Sequence, residues 1–219
     1  MTESAIEVLL LDADGVIQDI DEFPTRMATL LQGRATLGEL LAVETTAITG
    51  HVDLTAALDE FLAQRGITST SEELHAVWRG TRPLPGVLDL IDRVRAAGLR
   101  VFLATNQQPV RGLFIQENLG YSRHFDGAFF SFEMGVAKPD PAFYTHICEA
   151  IDVEPSRAFF VDDLAPNVEG ARQAGLRVGH LPRQAPGPGE HVGPAAGAAA
   201  LEALLVANGI VPAPVTGAL

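Results

Sequence analysis

Apolar positions follow two rhythms along this chain. Near the start, "IEVLLLD" is a short unbroken apolar run of the kind a strand buried on both faces produces. From residue 17 to 82 the spacing becomes helical and no convincing strand is found. "TRMATLLQ" and "ATLGELLAVE" have helical spacing. "DLTAALDEFLAQRG" puts Leu54, Ala57, Leu58, Phe61 and Leu62 on one face, with Asp53 as N-cap and Gly66 as stop. "TSEELHAVWRG" has Thr70 and Glu73 at capping-box spacing and Leu74, Val77 and Trp78 on a shared face.

After Pro83, helices and strands alternate. The helix "GVLDLIDRVRAAG" precedes the strand "LRVFLATN", and a helix over residues 109–119 precedes the strand "GAFFSF". "DPAFYTHICEAI" starts a helix with Asp140 as cap and Pro141 at its first position. The strand "RAFFVDD", the helix "PNVEGARQAG" and the strand "LRVGHL" complete the series. Such alternation predicts an α/β fold with a Rossmann-like, doubly wound parallel sheet, covered by helices on both faces. The expected division is a core of residues 1–16 and 83–219, with a small helical domain inserted at 17–82. "PRQAPGPGEHVGPAAG" reads as a surface loop, "AAALEALLVANG" as a last helix, and "IVPAPVTGAL" as a fraying tail.

Composition narrows the partners. Lys+Arg 15 against Asp+Glu 28 gives a net charge of −13, which argues against broad nucleic-acid or anionic-membrane binding. The one cysteine, Cys148, excludes an intrachain disulfide and suits a reducing compartment. "MTESAIEV" lacks the features of a signal peptide, and no apolar run reaches membrane-spanning length. The expectation is a soluble cytoplasmic protein, monomer or homodimer.

Ligands of a doubly wound sheet sit outside the carboxyl ends of its strands. The first strand ends in Asp12-Ala13-Asp14-Gly15, the next in Thr105-Asn106, and "RAFFV" in Asp162-Asp163. Lys138, the one lysine of the chain, stands just before a helix start. Four clustered carboxylates call for a cation, and oxygen donors without His or Cys favour Mg²⁺ together with a substrate phosphate. Thr105, Lys138 and backbone N–H groups around Gly15 could hold that phosphate. A carboxylate can itself act as nucleophile.

"DADGV", "ATN", "AKPDP" and "FVDDLAPNVEGARQAGL" resemble, in order, the four motifs of the haloacid dehalogenase-like hydrolases. The resemblance covers residues 6–18 and 84–181, and the helical insertion lies where that family carries a cap domain. It implies Asp12 as the phosphorylated nucleophile. Asp14 corresponds to the general acid/base, with its backbone carbonyl on Mg²⁺. Thr105 corresponds to the phosphate-binding hydroxyl beside the Asn106 N–H, and Lys138 to the lysine that neutralises nucleophile and phosphate. Asp162 and Asp163 correspond to the metal-anchoring pair, with Asp163 the direct ligand and Asp162 mainly its support; Asn167 supports their loop. Aspartate at position 14 favours phosphate chemistry over dehalogenation. The absence of lysine from 17–82 excludes the branch that forms a Schiff base from its cap.

The expected activity is therefore Mg²⁺-dependent hydrolysis of a small phosphorylated metabolite. Two alternatives stand beside it: a phosphomutase using the same intermediate, and a non-catalytic regulatory or scaffolding member of the fold. A receiver domain shares the acids, Thr and Lys, but would carry neither Asp14 nor the insertion. Each residue also has a plainer reading. Thr105-Asn106 alone would be a turn, Asp162-Asp163 a helix cap, His75 and Trp78 interior residues, and Cys148 a small buried apolar group. His51 could face the site but reads as a solvated loop residue. Arg79 and Arg82 read as serving helix ends rather than a substrate anion.

Overall fold

The computed structural model describes residues 5–185 and 195–211. The parts of the proline- and glycine-rich segment and of the two termini beyond those limits lie outside the described residues. β1 (Val8–Leu11) leads to a two-residue strand β2 (Gln18–Asp19) and four helices: α1 (Phe23–Leu31), α2 (Leu37–Ala47), α3 (Leu54–Gln64) and α4 (Ser71–Trp78). The chain returns through β3 (Arg82–Pro83) and alternates: α5 (Val87–Ala96), β4 (Arg100–Thr105), α6 (Pro109–Asn118), β5 (Gly127–Phe130) and α7 (Ser131–Met134). It continues with α8 (Pro141–Ala150), β6 (Ala158–Asp162), α9 (Ala165–Gln173), β7 (Arg177–His180) and α10 (Ala198–Ala207).

Five strands form a parallel sheet in the order β5-β4-β1-β6-β7. This is the expected Rossmann-like α/β arrangement, and its central strand is the one that carries the acidic pair. Successive residues of β1 point to opposite faces and both faces are covered. Leu9 and Leu11 enter a cluster with Val101, Leu103, Phe159 and Val161 under α5 and α10. Val8 and Leu10 enter another with Phe102, Phe160, Phe143 and Tyr144 under α8 and α9. All four β1 side chains are fully buried, each stabilising the fold by about 1.5–3 kcal/mol relative to exposure. That burial holds the carboxyl end of the strand, and the acidic loop attached to it, in place.

Helices α1–α4 pack round a third cluster of their own, with Met27, Leu31, Leu58, Leu74 and Trp78 at its centre. Their starts use the chemistry visible in the sequence. Asp53 accepts from Thr55 and Ala56 N–H, and Thr70 and Glu73 close a reciprocal capping box, as Thr36 and Glu39 also do. His75 and Trp78 are both buried here, with ring centroids 5.9 Å apart.

Two expectations need correction. Residues 17–82 are not free of strand: Gln18–Asp19 pairs antiparallel with Arg82–Pro83, tying the two crossings between core and helices together. The apolar alternation needed to signal a strand cannot develop in two residues. "GAFFSF" is strand only to Phe130, because Ser131 begins a one-turn helix. Ser131 is wholly buried and its hydroxyl donates to the Ile48 carbonyl at 2.5 Å, so it serves a contact with the end of α2 rather than a sheet.

Candidate functional site

The carboxyl ends of β1, β4 and β6 bring the expected residues to one edge. Asp12 comes directly after β1, Thr105 ends β4, and Asp162 ends β6. Carboxylate oxygens of Asp12, Asp162 and Asp163 all lie within 4.8 Å of one another. Gly15 is required beside them. Its φ is +81°, and a Cβ there would sit 2.3 Å from Asp163 Oδ2, so only glycine lets the loop after β1 approach that carboxylate.

Lys138 lies between two of these acids. Its ammonium donates to Asp12 Oδ1 at 2.6 Å and to Asp162 Oδ2 at 2.7 Å, with its side chain 1% exposed. The backbone that delivers it is clamped. Asn106 Nδ2 donates to the Lys138 carbonyl at 2.8 Å, and Asn106 Oδ1 accepts from Lys138 N–H at 2.9 Å. The Asn106 side chain thus holds Lys138. α9 also closes on this loop, because a Cβ at Gly170 would meet the Pro139 carbonyl at 2.0 Å.

Asp162 is wholly buried and densely bonded. Besides Lys138, it accepts from the Leu164 N–H at 2.8 Å and from Asn167 Nδ2 at 3.1 Å on both oxygens. Asp163 is half-buried and accepts from Arg183 Nε at 3.0 Å, while Arg183 also reaches Asp19 on β2 at 2.6 Å. Burial, then Asp162, push the Asp12 carboxyl up to about 8 against the pull of Lys138. Burial and Asp162 raise Asp163 to about 6, with Arg183 opposing. Three oxygen donors, no His or Cys, and carboxyls that resist ionising together are the donor set a hard divalent cation would satisfy.

Asp14 sits in a different environment. Its Oδ1 accepts from Gln18 Nε2 at 3.0 Å and from Arg111 Nη2. Its Oδ2 accepts from Gln107 Nε2 at 2.9 Å and from Arg111 Nη1 at 2.8 Å. Burial works to raise this carboxyl. The Arg111 charge and the bonds from Gln18, Gln107 and Arg111 outweigh it and hold Asp14 below the usual range. Gln107 also donates to the Thr105 hydroxyl at 3.1 Å, which leaves that hydroxyl its own proton to give. Tyr121 donates to Gln18 Oε1 at 2.9 Å, orienting the amide toward Asp14.

Arg111, Gln107, Gln18, Arg183 and Asp19 were missed in the sequence. Arg111 left one signal: it stands in the first turn of α6, where a cation opposes the helix dipole. Glu44, on α2, is also drawn into this region. Burial raises it to about 7, with Arg111 lowering and Asp14 raising it. Arg79 pairs with Glu72, Arg82 donates to the Arg79 and Thr81 carbonyls, and exposed His51 lies beside Gly135. Burial lifts the Cys148 thiol to about 11, an inert interior residue. No described helix is long and apolar enough to cross a membrane.

A parallel sheet that offers three acids and a buried lysine at its carboxyl edge, with helices inserted after its first strand, makes this a Rossmann-like, doubly wound α/β protein whose site lies where that class binds ligands. Residues 6–175 match the family model of the haloacid dehalogenase-like hydrolases, and the chain belongs to that family. A phosphoglycolate phosphatase of Cupriavidus necator is 30% identical over 154 residues, covering 70% of this chain and 62% of that protein. One from Mesorhizobium japonicum is 32% identical over 98 residues, covering 45% and 43%. The chain thus spans about half the length of these relatives. Among solved structures, a HAD family enzyme of Bacteroides thetaiotaomicron in complex with magnesium and inorganic phosphate superposes with a TM-score of 0.69. It is 20% identical, with 85% of this chain and 98% of that one covered, a likeness of fold.

Proposed function

We propose that this chain is a Mg²⁺-dependent phosphatase acting on a small phosphorylated metabolite, with residues 17–82 as a cap over the site. The observation that carries this reading is the Asp12–Lys138–Asp162 chain of ion pairs next to Asp163, with Asp14 two residues beyond the nucleophile. The named phosphatases among the relatives, and magnesium with phosphate in the Bacteroides enzyme, support it.

In this mechanism Asp12 attacks the phosphorus, and the bond to the ester oxygen breaks as Asp14 protonates that oxygen. Asp14 then takes a proton from water, whose oxygen attacks the aspartyl-phosphate and releases inorganic phosphate, restoring Asp12. Lys138, the Thr105 hydroxyl and the Asn106 N–H hold the phosphoryl oxygens. Asp12, the Asp14 carbonyl and Asp163 would hold Mg²⁺, with Asp162 and Asn167 fixing the loop. Bound there, the ion supplies charge neutralisation between nucleophile and phosphate.

The test is phosphate release from a panel of phosphorylated metabolites, with and without Mg²⁺, and with Asp12→Asn in parallel. Metal-dependent release absent from the variant is the expected result. A folded, Mg²⁺-binding protein that releases nothing from any compound would overturn the reading.

A further inference from the structure

The three clustered acids do not present their oxygens alike. Asp162 accepts on both of its oxygens, from Lys138, Leu164 and Asn167. Asp12 has Lys138 on Oδ1 at 2.6 Å, and Asp163 has Arg183 Nε on Oδ2 at 3.0 Å. Among the described residues, Asp12 Oδ2 and Asp163 Oδ1 accept no hydrogen bond. Backbone closes on the taken oxygen of Asp163 as well. A Cβ on Gly15 would lie 2.3 Å from that Oδ2 and 3.0 Å from Arg183 Nε.

Arg183 follows β7 and lies beyond the residues 6–175 that match the family model. Its fork is fixed from the other side by Asp19. Nη1 donates to Asp19 Oδ2 at 2.6 Å and Nη2 to Asp19 Oδ1 at 3.2 Å. Asp19 is itself held on β2, paired with Arg82 of β3. The segment after β7 also braces the acidic loop: Leu181 N–H donates to the Asp162 carbonyl at 3.0 Å, and His180 Nε2 lies 3.1 Å from the Asp163 carbonyl. A planar guanidinium with Nε on one carboxylate and both Nη on another fixes the two in one geometry, as a rotatable ammonium does not.

Cations differ in what they ask of such a site. Ca²⁺ takes about six to eight oxygens and accepts both oxygens of one carboxylate. Mg²⁺ is smaller, demands near-octahedral geometry and keeps several waters, so it is served by single carboxylate oxygens. With Mg²⁺ on Asp12 and Asp163, the reading on which this inference rests, we propose that Arg183 selects the cation. By occupying Oδ2 it limits Asp163 to one oxygen, which suits Mg²⁺ and denies Ca²⁺ a second contact. Arg183 is in this scheme a positioning residue, and Asp19 acts through it by holding the fork.

The test is calorimetric titration of Mg²⁺ and of Ca²⁺ into the full chain at one pH and ionic strength. The proteins are wild type, Arg183→Gln, Arg183→Lys, Asp19→Asn and the double variant Asp19→Asn with Arg183→Gln. The quantity read is the Kd for Ca²⁺ divided by the Kd for Mg²⁺. Both ions carry the same charge, so repulsion by the guanidinium largely cancels from this ratio, and its hold on Oδ2 remains. Arg183→Gln lowers the ratio by about tenfold, the low end for a group that orients a metal ligand. Asp19→Asn lowers it by about threefold, and by less than about twofold in the Arg183→Gln background. Arg183→Lys keeps the charge without the fork and falls between wild type and Arg183→Gln, so it carries the test if Arg183→Gln fails to fold. An unchanged ratio in the Arg183 variants, or an Asp19 effect undiminished without Arg183, overturns the inference. Wild type that binds no Mg²⁺ defeats the metal reading and this inference with it; wild type that binds Mg²⁺ beside Arg183 variants of unchanged ratio defeats the inference alone.

Discussion

The two sides of the acidic edge solve the same electrostatic problem with different cations. On one side Lys138, a compact ammonium, touches Asp12 and Asp162 and shares its charge between them. Asp12 is left under-compensated and pushed up to about 8. On the other side Arg111 gives its planar fork to a single carboxylate, and with two glutamine amides it over-satisfies Asp14. Lysine suits a place where a phosphate and a metal must share the charge; arginine suits fixing one planar group. Two aspartates separated by one alanine thus end in opposite states: one short of positive charge, one saturated with it.

The largest way to break this contrast is Asp12→Asn. An amide keeps the shape but cannot attack phosphorus, so phosphate release falls by about 10³-fold or more, while circular dichroism stays that of the wild type. Lys138→Met comes next and acts on stability. It leaves two buried carboxylates facing each other without a cation and costs about 3–5 kcal/mol in urea unfolding. Arg111→Met costs less, about 1–3 kcal/mol, because Asp14 has a side chain 33% exposed and keeps both amide donors. If the two substitutions cost the same, the distinction between a shared and a dedicated cation fails. Metal is the third lever. Mg²⁺ at about 100-fold over its Kd stabilises the protein by about 2.7 kcal/mol, and chelation reverses it. Asp163→Asn removes most of that protection in a thermal melt.

The Lys138 side was legible in the sequence because its parts are short motifs at strand ends, and burial of "VLLL" and "AFFV" fixes where strands end. Asp12, Thr105, Lys138 and Asp162 are each placed by local chain geometry plus a parallel register. The Arg111 side was not legible. Gln18, Thr81, Tyr121 and the pair Gln107 and Arg111 at the start of α6 come from four separate places, and what unites them is how the helices return to the core, which no local pattern encodes. The pairing of Gln18–Asp19 with Arg82–Pro83 escaped for the same reason: two residues have no periodicity. The helices themselves were legible from caps and apolar faces, whereas their bearing on the site, through Ser131 and Ile48, depends on tertiary contact alone.

The smallest effect concerns Glu44, a half-buried carboxyl on α2. Burial lifts its carboxyl from 4.5 to about 7. Between those values the folded protein holds a proton that the unfolded chain has lost, so the folded state is favoured at low pH. The contribution is complete below about 4.5 and disappears as pH rises through 7. Glu44→Gln has no such proton, so the melting temperature of wild type falls relative to the variant over this window by a few degrees at most. The shift is small because Glu44 is only half-buried, and water screens part of the penalty. Parallel melting curves for wild type and variant across the window would mean that burial does not raise the Glu44 carboxyl, either because water reaches it or because the Arg111 charge offsets the burial.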